Sequence, residues 1–122
     1  MKKFGTALNC MDGRVQIPVA EFLKNKYGLE FIDMITAPGI NKILVEGDYK
    51  MVEYIKKCVE ISIKNHKSEL VAIAGHYDCA GNPSSNEIQI QQITCGINII
   101  KSWNFNVRIA GLWLNENFNF LR

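Results

Sequence analysis

The feature that most constrains the fold is an almost uninterrupted apolar run at residues 69–74, Glu-Leu-Val-Ala-Ile-Ala. A strand with one solvated face alternates apolar and polar residues, whereas a strand that is covered on both faces is apolar throughout. The run therefore predicts a central strand of a parallel sheet. Strands that alternate with helices along the chain give such a sheet, with helices on both of its faces.

The rest of the chain shows this alternation. Further strands are predicted at residues 3–9, 30–36 and 106–114. One helix is predicted from Pro18 to about Gly28, and a short helical turn within 40–47. A long helix is predicted from an N-cap at Asp48 to about His66, and another from a Ser84–Glu87 capping box to about Ser102. Residues 115–117 predict a hairpin turn, and residues 118–121 a short antiparallel edge strand.

These elements predict an α/β fold in three layers. Its sheet is mostly parallel and four-stranded, in the order 2-1-3-4, with an antiparallel C-terminal edge strand and helices on both faces. The 122 residues have the length of a single domain, 1–122, and 48% of them are apolar, which is enough for a core. No internal repeat or linker interrupts the pattern.

Charge and hydropathy exclude several classes of partner. The formal net charge is only +2, from 14 basic and 12 acidic residues spread along the chain, so we expect no nucleic-acid partner. No apolar run is long enough to span a membrane. The charged start resembles a signal peptide, but Asn9, Asp12 and Arg14 break the apolar stretch that follows and no cleavage site comes after it. We expect a cytoplasmic protein with no membrane partner.

Two short motifs carry the chemistry, each directly after a predicted strand. Cys10 begins Cys-Met-Asp-Gly-Arg, and His76 and Cys79 lie in Gly-His-Tyr-Asp-Cys-Ala-Gly. In a cytosolic chain, cysteines serve metal binding or catalysis more often than disulfides. Cys58 and Cys95 lie instead inside helical patterns and are interpreted as small buried apolar residues.

Cys10, His76 and Cys79 predict a zinc site. Cys10 and His76 lie 66 residues apart, but strands one and three are expected side by side, with their carboxyl ends at the point where the sheet changes winding direction. Two sulfurs and one nitrogen favour zinc over magnesium or calcium. Three protein ligands with one open position are typical of catalytic zinc.

Asp12 and Arg14 are predicted to act together beside this site. Their spacing allows a carboxylate–guanidinium contact. Asp12 lies two residues from Cys10 and could take the fourth zinc position itself, while Arg14 would compete for the carboxylate and keep that position open for water. Two thiolates already cancel the charge of the ion, so bound water should be less acidic than in a three-histidine site. We expect activity weighted toward alkaline pH.

At these residues the sequence resembles the β-class carbonic anhydrases, which carry Cys-x-Asp-x-Arg after the first core strand and His-x-x-Cys after the third. The order of elements is also similar over nearly the whole chain. The resemblance implies Zn²⁺ on Cys10, His76 and Cys79, and an Asp12–Arg14 catalytic pair. It implies a metal-bound hydroxide that converts carbon dioxide to bicarbonate, and assembly as a homodimer or higher homo-oligomer with the cleft near the interface.

Three features depart from the family pattern. Gly13 stands where the family usually has serine, and Ala-Pro-Gly at residues 37–39 stands near the family's Arg-Asn-Ala-Gly. Strand one begins almost at the first residue, so the N-terminal helices that wrap a neighbouring subunit in the family are not expected. Two alternatives to carbon dioxide hydration stay open. One is a zinc hydrolase of carbonyl sulfide or carbon disulfide on the same ligands, and the other is a zinc-binding protein without turnover.

Overall fold

The computed structural model describes residues 2–117. Its strands are β1 (Phe4–Cys10), β2 (Phe31–Ala37), β3 (Leu70–His76) and β4 (Arg108–Leu114). Its helices are α1 (Gln16–Tyr27), α2 (Ile40–Glu46), α3 (Tyr49–His66) and α4 (Asn86–Ser102). All eight elements agree with the predicted ones to within about two residues at each end, the scatter expected of such boundaries. The antiparallel edge strand predicted at 118–121 lies outside the described residues.

The four strands are parallel and lie in the order β2-β1-β3-β4, as predicted. β1 pairs with β2 along its whole length, to Cys10 opposite Ala37, and β3 pairs with β4 as far as His76. The pairing between β1 and β3 stops earlier, at Leu8 opposite Ile73. The carboxyl ends of these two central strands therefore diverge, which opens a crevice at the point where ligands bind in open α/β sheets.

Helices cover both faces of the sheet, but unequally. α1 packs on one face, through Val19 and Leu23, whereas α2, α3 and α4 pack on the other. Every residue of β3 is buried, which confirms the inference from its apolar sequence. Alternate β3 residues serve the two cores: Ala72 faces α1, and Ile73 faces the three helices. Each large apolar side chain buried in this way stabilises the fold by about 1.5–3 kcal/mol.

Two of the predicted helix ends are confirmed and one is wrong. The Asp48 carboxylate accepts a hydrogen bond from the Met51 N–H at 2.9 Å, and Gly28 ends α1 in the left-handed conformation with φ 65°. The capping box was placed one residue too early. Ser85 is the N-cap of α4, because the Ser84 hydroxyl donates to Asn82 Oδ1 at 2.8 Å and is not available to the helix.

The loop before α2 packs directly against the loop after β3. Gly39 has φ 58°, and a Cβ atom there would lie 2.6 Å from the backbone carbonyl carbon of Gly81. A Cβ atom on Gly81 would in turn lie 2.5 Å from the backbone of Pro38. Only glycine allows this approach of one backbone to another. The contact brings the two loops together at the mouth of the crevice.

Candidate metal centre

Cys10, His76 and Cys79 converge in the crevice between β1 and β3. Cys10 and His76 are the last residues of their strands, and Cys79 lies in the turn after β3. All three side chains are at most 6% exposed, and their ligand atoms lie within 4.8 Å of one another. The structure therefore brings together the three residues that the sequence motifs singled out.

The spacing of the two sulfurs fits a tetrahedral metal ion. Zinc–sulfur bonds of about 2.3 Å at a tetrahedral angle place two sulfurs about 3.8 Å apart. The Cys10 and Cys79 Sγ atoms are 3.8 Å apart, and both residues are free thiols. Two sulfurs and one imidazole nitrogen are also the donor types that zinc prefers. The side chains present in this crevice therefore fit a zinc ion with three protein ligands.

The imidazole of His76 is oriented by the backbone of the next residue. His76 Nδ1 lies 2.8 Å from the carbonyl oxygen of Tyr77. A carbonyl oxygen only accepts hydrogen bonds, so Nδ1 carries the hydrogen, and in the neutral ring the lone pair is on Nε2. Metal-binding histidines are commonly oriented by such a second contact. The nitrogen offered to a metal is therefore Nε2.

Backbone N–H groups surround both sulfurs. The Gly39 N–H donates to Cys10 Sγ at 3.4 Å, and the Asp12 N–H contacts the same sulfur. The N–H groups of Gly81 and Asn82 play the same part at the Cys79 sulfur. Hydrogen bonds of this kind stabilise a thiolate, the form of cysteine that binds metals.

The protonation of the cluster follows from burial and from these contacts. Burial raises the pKa of the Cys10 thiol, but hydrogen bonds from His76 and the backbone outweigh it, so that this pKa is lowered. Burial and the neighbouring Cys10 sulfur raise the pKa of Cys79. Burial lowers the pKa of His76, but its contacts with Cys10 and the Tyr77 carbonyl outweigh it and the pKa is raised. Without metal, the shifts favour the thiolate at Cys10 and the protonated forms of His76 and Cys79.

Zinc binding is expected to release these protons, so that zinc affinity rises with pH. The affinity should increase about tenfold per pH unit for each proton displaced. Cys79, whose pKa is raised to about 11, loses its proton on binding at any ordinary pH. His76 loses a further proton below its raised pKa, and Cys10 another below its pKa of about 7. Calorimetric titration in buffers of different ionisation enthalpy counts them. Cys95→Ser, at an exposed position of α4, is the matched control, and an affinity independent of pH between about 6 and 9 would contradict the expectation.

Asp12 and Arg14 form the predicted carboxylate–guanidinium contact. Arg14 Nε donates to Asp12 Oδ1 at 3.0 Å and Nη2 donates to Oδ2 at 2.6 Å, while the Arg14 backbone N–H reaches Oδ1 at 2.9 Å. These contacts lower the pKa of Asp12 to about 2, mainly through the Arg14 hydrogen bond. Within residues 2–117 the metal-ligand cluster contains only the two cysteines and His76. Arg14 therefore holds an ionised Asp12 carboxylate outside that cluster.

The cleft at this site is narrow. Its lining includes the three candidate ligands together with Ile40, Asn41 and Gln89. The centre of a water-sized molecule has ≈ 10 Å³ available within it, which is about the minimum for one bound water. The arrangement is therefore suited to a ligand of a few atoms.

Comparison with known proteins agrees with this geometry. A family model described as "Putative carbonic anhydrase" matches residues 1–122. The chain belongs to this carbonic anhydrase family. No curated protein matches the sequence.

Solved structures of carbonic anhydrases share the fold of this family member. The β-carbonic anhydrase CafA of Aspergillus fumigatus superposes with a TM-score of 0.60 at 14% sequence identity, over 99% of this chain and 75% of the fungal chain. The carbonic anhydrase from Glaciozyma antarctica gives a TM-score of 0.58 at 15% identity, over 95% of this chain and 79% of the other. The α/β fold with a 2-1-3-4 sheet is therefore that of β-carbonic anhydrases.

The departure at residues 37–39 has a structural role in this carbonic anhydrase family member. Ala37 pairs with Cys10 at the end of the sheet, and Gly39 donates its N–H to the Cys10 sulfur. A side chain at position 39 would collide with the backbone of Gly81. The segment thus supports Cys10 through its backbone instead of contributing a charged side chain to the cleft.

Sequence reasoning missed the buried amide side chains around the cleft. They are Asn41, Asn82, Gln89 and Gln92, which are all at most 6% exposed. Asn41 Nδ2 donates to the carbonyl oxygen of Ala74 at 3.2 Å, in the gap where β3 has separated from β1. A signal was present in the sequence, because Gln89 and Gln92 fall on the same helix face as Ile93, Gly96 and Ile100. Polar residues at such positions indicate a buried polar contact.

The two remaining cysteines lie away from the cluster. Cys58 in α3 is half-buried, in general agreement with its interpretation as an apolar residue, whereas Cys95 in α4 is exposed. The interpretation of Cys95 as a buried residue is wrong. It lies beside Gly96, which is buried, but on the solvent side of the helix.

Proposed function

We propose that this protein catalyses the reversible hydration of carbon dioxide to bicarbonate with a zinc ion held by Cys10, His76 and Cys79. The observation that carries the proposal is the convergence of these three buried ligands in the crevice, next to a carboxylate that Arg14 holds outside the cluster. Membership of a carbonic anhydrase family and the shared fold support the same reaction.

The protein side chains divide the work as follows. The two cysteines and His76 would hold a zinc ion through three protein ligands. Such an ion would supply a Lewis acid that lowers the pKa of water. Asp12, ionised at any ordinary pH because its pKa is about 2, can accept a hydrogen bond from solvent in the cleft. Arg14 fixes the direction of that carboxylate.

The size and lining of the cleft support a small electrophile as substrate. The cleft is narrow enough to favour the smallest substrates, and carbon dioxide has three atoms and no hydrogen-bond donor. Ile40 and Ala74 give the cleft an apolar part, while the backbone N–H groups nearby are directed to the sulfurs. A large or highly charged substrate would not enter without movement of α2 or α4.

The test is a measurement of carbon dioxide hydration by stopped flow, with a pH indicator, on protein whose zinc content has been determined. We expect a hydration rate that increases in proportion to bound zinc and is lost after treatment with a chelator. Stoichiometric zinc without any acceleration would overturn the proposal. Hydrolysis of carbonyl sulfide or carbon disulfide by zinc-loaded protein that does not hydrate carbon dioxide would replace it with the alternative substrate class.

Assembly and location stay predictions. A homodimer or higher homo-oligomer is expected from the resemblance to β-class carbonic anhydrases, and sedimentation equilibrium of the full chain measures it. The cytoplasmic location rests on the sequence alone. Among residues 2–117, none of the helices has the length and hydropathy needed to cross a membrane.

A further inference from the structure

Three buried amide side chains join α4 to the loop that carries Cys79. Asn82 Nδ2 donates to Gln92 Oε1 at 2.6 Å, and Gln89 Nε2 donates to the backbone carbonyl of Asn82 at 3.4 Å. Asn82 is 1% exposed, Gln89 3% and Gln92 6%. We call these three residues the amide clamp. Buried amides are costly unless they are hydrogen-bonded, so a clamp of this kind has one preferred arrangement.

Asn82 is held at both ends of its side chain. Its Nδ2 is engaged by Gln92, and its Oδ1 accepts a hydrogen bond from the Ser84 hydroxyl at 2.8 Å. In this arrangement Gln92 supplies an acceptor and Ser84 a donor, so both ends of the Asn82 amide are hydrogen-bonded. The position of Asn82 relative to α4 is therefore determined by side-chain hydrogen bonds.

The backbone of Asn82 passes this position on to Cys79. The Asn82 N–H donates to the Cys79 carbonyl oxygen at 3.3 Å, and it also lies beside the Cys79 sulfur. Gly81, the preceding residue, packs against Gly39, whose own N–H contacts the Cys10 sulfur. The amide clamp therefore supports the Cys79 sulfur through the loop after β3, and the Cys10 sulfur through the contact of that loop with the loop before α2.

The turn at residues 77–82 has few buried apolar side chains that could hold it in place instead. Tyr77, Asp78, Ala80 and Gly81 are all exposed, and Asp78 has the left-handed conformation with φ 59°. Apart from Cys79 itself, the buried residue of this turn is Asn82. Segments with few buried apolar groups open at low free-energy cost. Cys79 itself packs in the core on the α1 side of the sheet. The residues around it in the turn are held mainly by polar contacts.

We propose that Gln92 is a positioning residue, which holds Asn82 and thereby keeps the Cys79 sulfur at its distance from Cys10 and His76 for metal binding. The proposal rests on the metal-binding role of Cys79 put forward above. It goes further in assigning a role to a residue of α4 that does not touch the metal ligands itself. Contacts that orient metal ligands typically change affinity by about 10- to 100-fold when they are removed.

The test compares three variants at neighbouring positions of α4. Gln92→Met removes the hydrogen-bond acceptor and keeps an unbranched side chain of similar length. Gln92→Glu retains an acceptor oxygen at the same place. Gln91→Met makes the same chemical change at an exposed position next to it. Zinc affinity is measured by competition with a chromophoric chelator, and the electronic spectrum of the cobalt-loaded protein reports thiolate–metal contact.

We expect Gln92→Met to weaken zinc binding by about 10- to 100-fold and to lower the intensity of the thiolate-to-cobalt absorption. Gln92→Glu should restore most of both, and Gln91→Met should match the unmodified protein. A purely structural role would lower the unfolding temperature of the metal-free protein but leave affinity and spectrum unchanged. That result would overturn the proposal.

A second variant approaches the same contact from the other side. Asn82→Leu has a side chain of similar size with neither donor nor acceptor, so the bond to Gln92 is lost whichever way the Gln92 amide turns, together with the bond from Ser84. If Gln92→Met does not fold, unchanged zinc affinity and cobalt spectrum in Asn82→Leu overturn the proposal instead. Failure of the unmodified protein to bind zinc or cobalt would contradict the proposed function itself, which separates the two ideas.

Discussion

Substitution of Cys79 by serine is expected to lower zinc affinity by about 10²- to 10³-fold. Zinc sites in small folded domains have apparent binding free energies of about 10–16 kcal/mol, so that each of three or four ligands accounts for about 3–4 kcal/mol. That amount corresponds to a factor of about 10² to 10³ in the dissociation constant. The serine hydroxyl keeps its proton and offers a hard oxygen in place of a soft thiolate.

The measurement is chelator competition, together with metal analysis of dialysed protein. Cys95→Ser is the matched control, because it makes the same chemical change at an exposed position of α4 outside the cluster. Circular dichroism of both variants verifies that the fold is retained. An undiminished zinc stoichiometry in Cys79→Ser would remove this residue from the site and leave Cys10 and His76 without their third partner.

Arg14→Ala is expected to lower carbon dioxide hydration at least about a hundredfold while zinc stays bound. In the structure Arg14 Nε and Nη2 occupy both oxygens of the Asp12 carboxylate. Without the guanidinium, the carboxylate is no longer held outside the cluster and can occupy the open metal position that solvent needs. Loss of a group that keeps a catalytic position available lowers turnover without removing the metal.

Hydration rate and zinc content measured on the same sample distinguish this effect from metal loss. Arg14→Lys keeps the charge but not the paired donors of the guanidinium. Its hydration rate should therefore lie between that of Arg14→Ala and that of the unmodified protein. Gly13→Ser is the neighbouring control, since a Cβ atom at Gly13 meets no atom within 4 Å. A fully active Arg14→Ala protein would refute the gatekeeping role, and so would a variant that had lost its zinc.

Arg14 also joins the two ligand-bearing turns. Its Nη2 contacts the carbonyl oxygen of Asp78 at 3.3 Å, and Nη1 lies 3.6 Å from the Asp78 carboxylate. The Arg14 side chain is about half exposed and that of Asp78 is mostly exposed. The ion pair between them therefore adds little to stability. The contact shows instead that the turn after β1 and the turn after β3 lie within reach of a single side chain.

Local patterns in the sequence were sufficient for most of the architecture. Strand β3 is apolar at every position because helices cover both of its faces, and that burial is visible in the residues themselves. The Asp48 cap and the Gly28 end of α1 were likewise predictable, because capping depends on residues three or four apart. The same reasoning chose the wrong one of two adjacent serines as the N-cap of α4. Ser85 caps the helix, because the Ser84 hydroxyl is bonded to Asn82 in the preceding loop.

The candidate ligands were also accessible from sequence, since Cys10 and His76 lie at the ends of strands and Cys79 lies in the turn that follows the second of them. Strand order then brought them to one edge of the sheet. Their actual separation was not predictable, because it depends on where β1 and β3 stop pairing, at Leu8 and Ile73. Beyond that point the Ala74 carbonyl accepts a hydrogen bond from Asn41 of α2 at 3.2 Å, a contact that has no signal in either strand.

The sequence by itself determined the kinds of element, their order and the residue types offered to a metal, because these follow from contacts between near neighbours in the chain. Only the tertiary structure decided the distance between the two sulfurs, the backbone contact of Gly39 with Gly81 and the bond of Asn82 to Gln92. These contacts join segments that are far apart in the chain, and hydrophobic periodicity describes only one segment at a time. They form because buried polar groups and close-packed backbones have few acceptable arrangements.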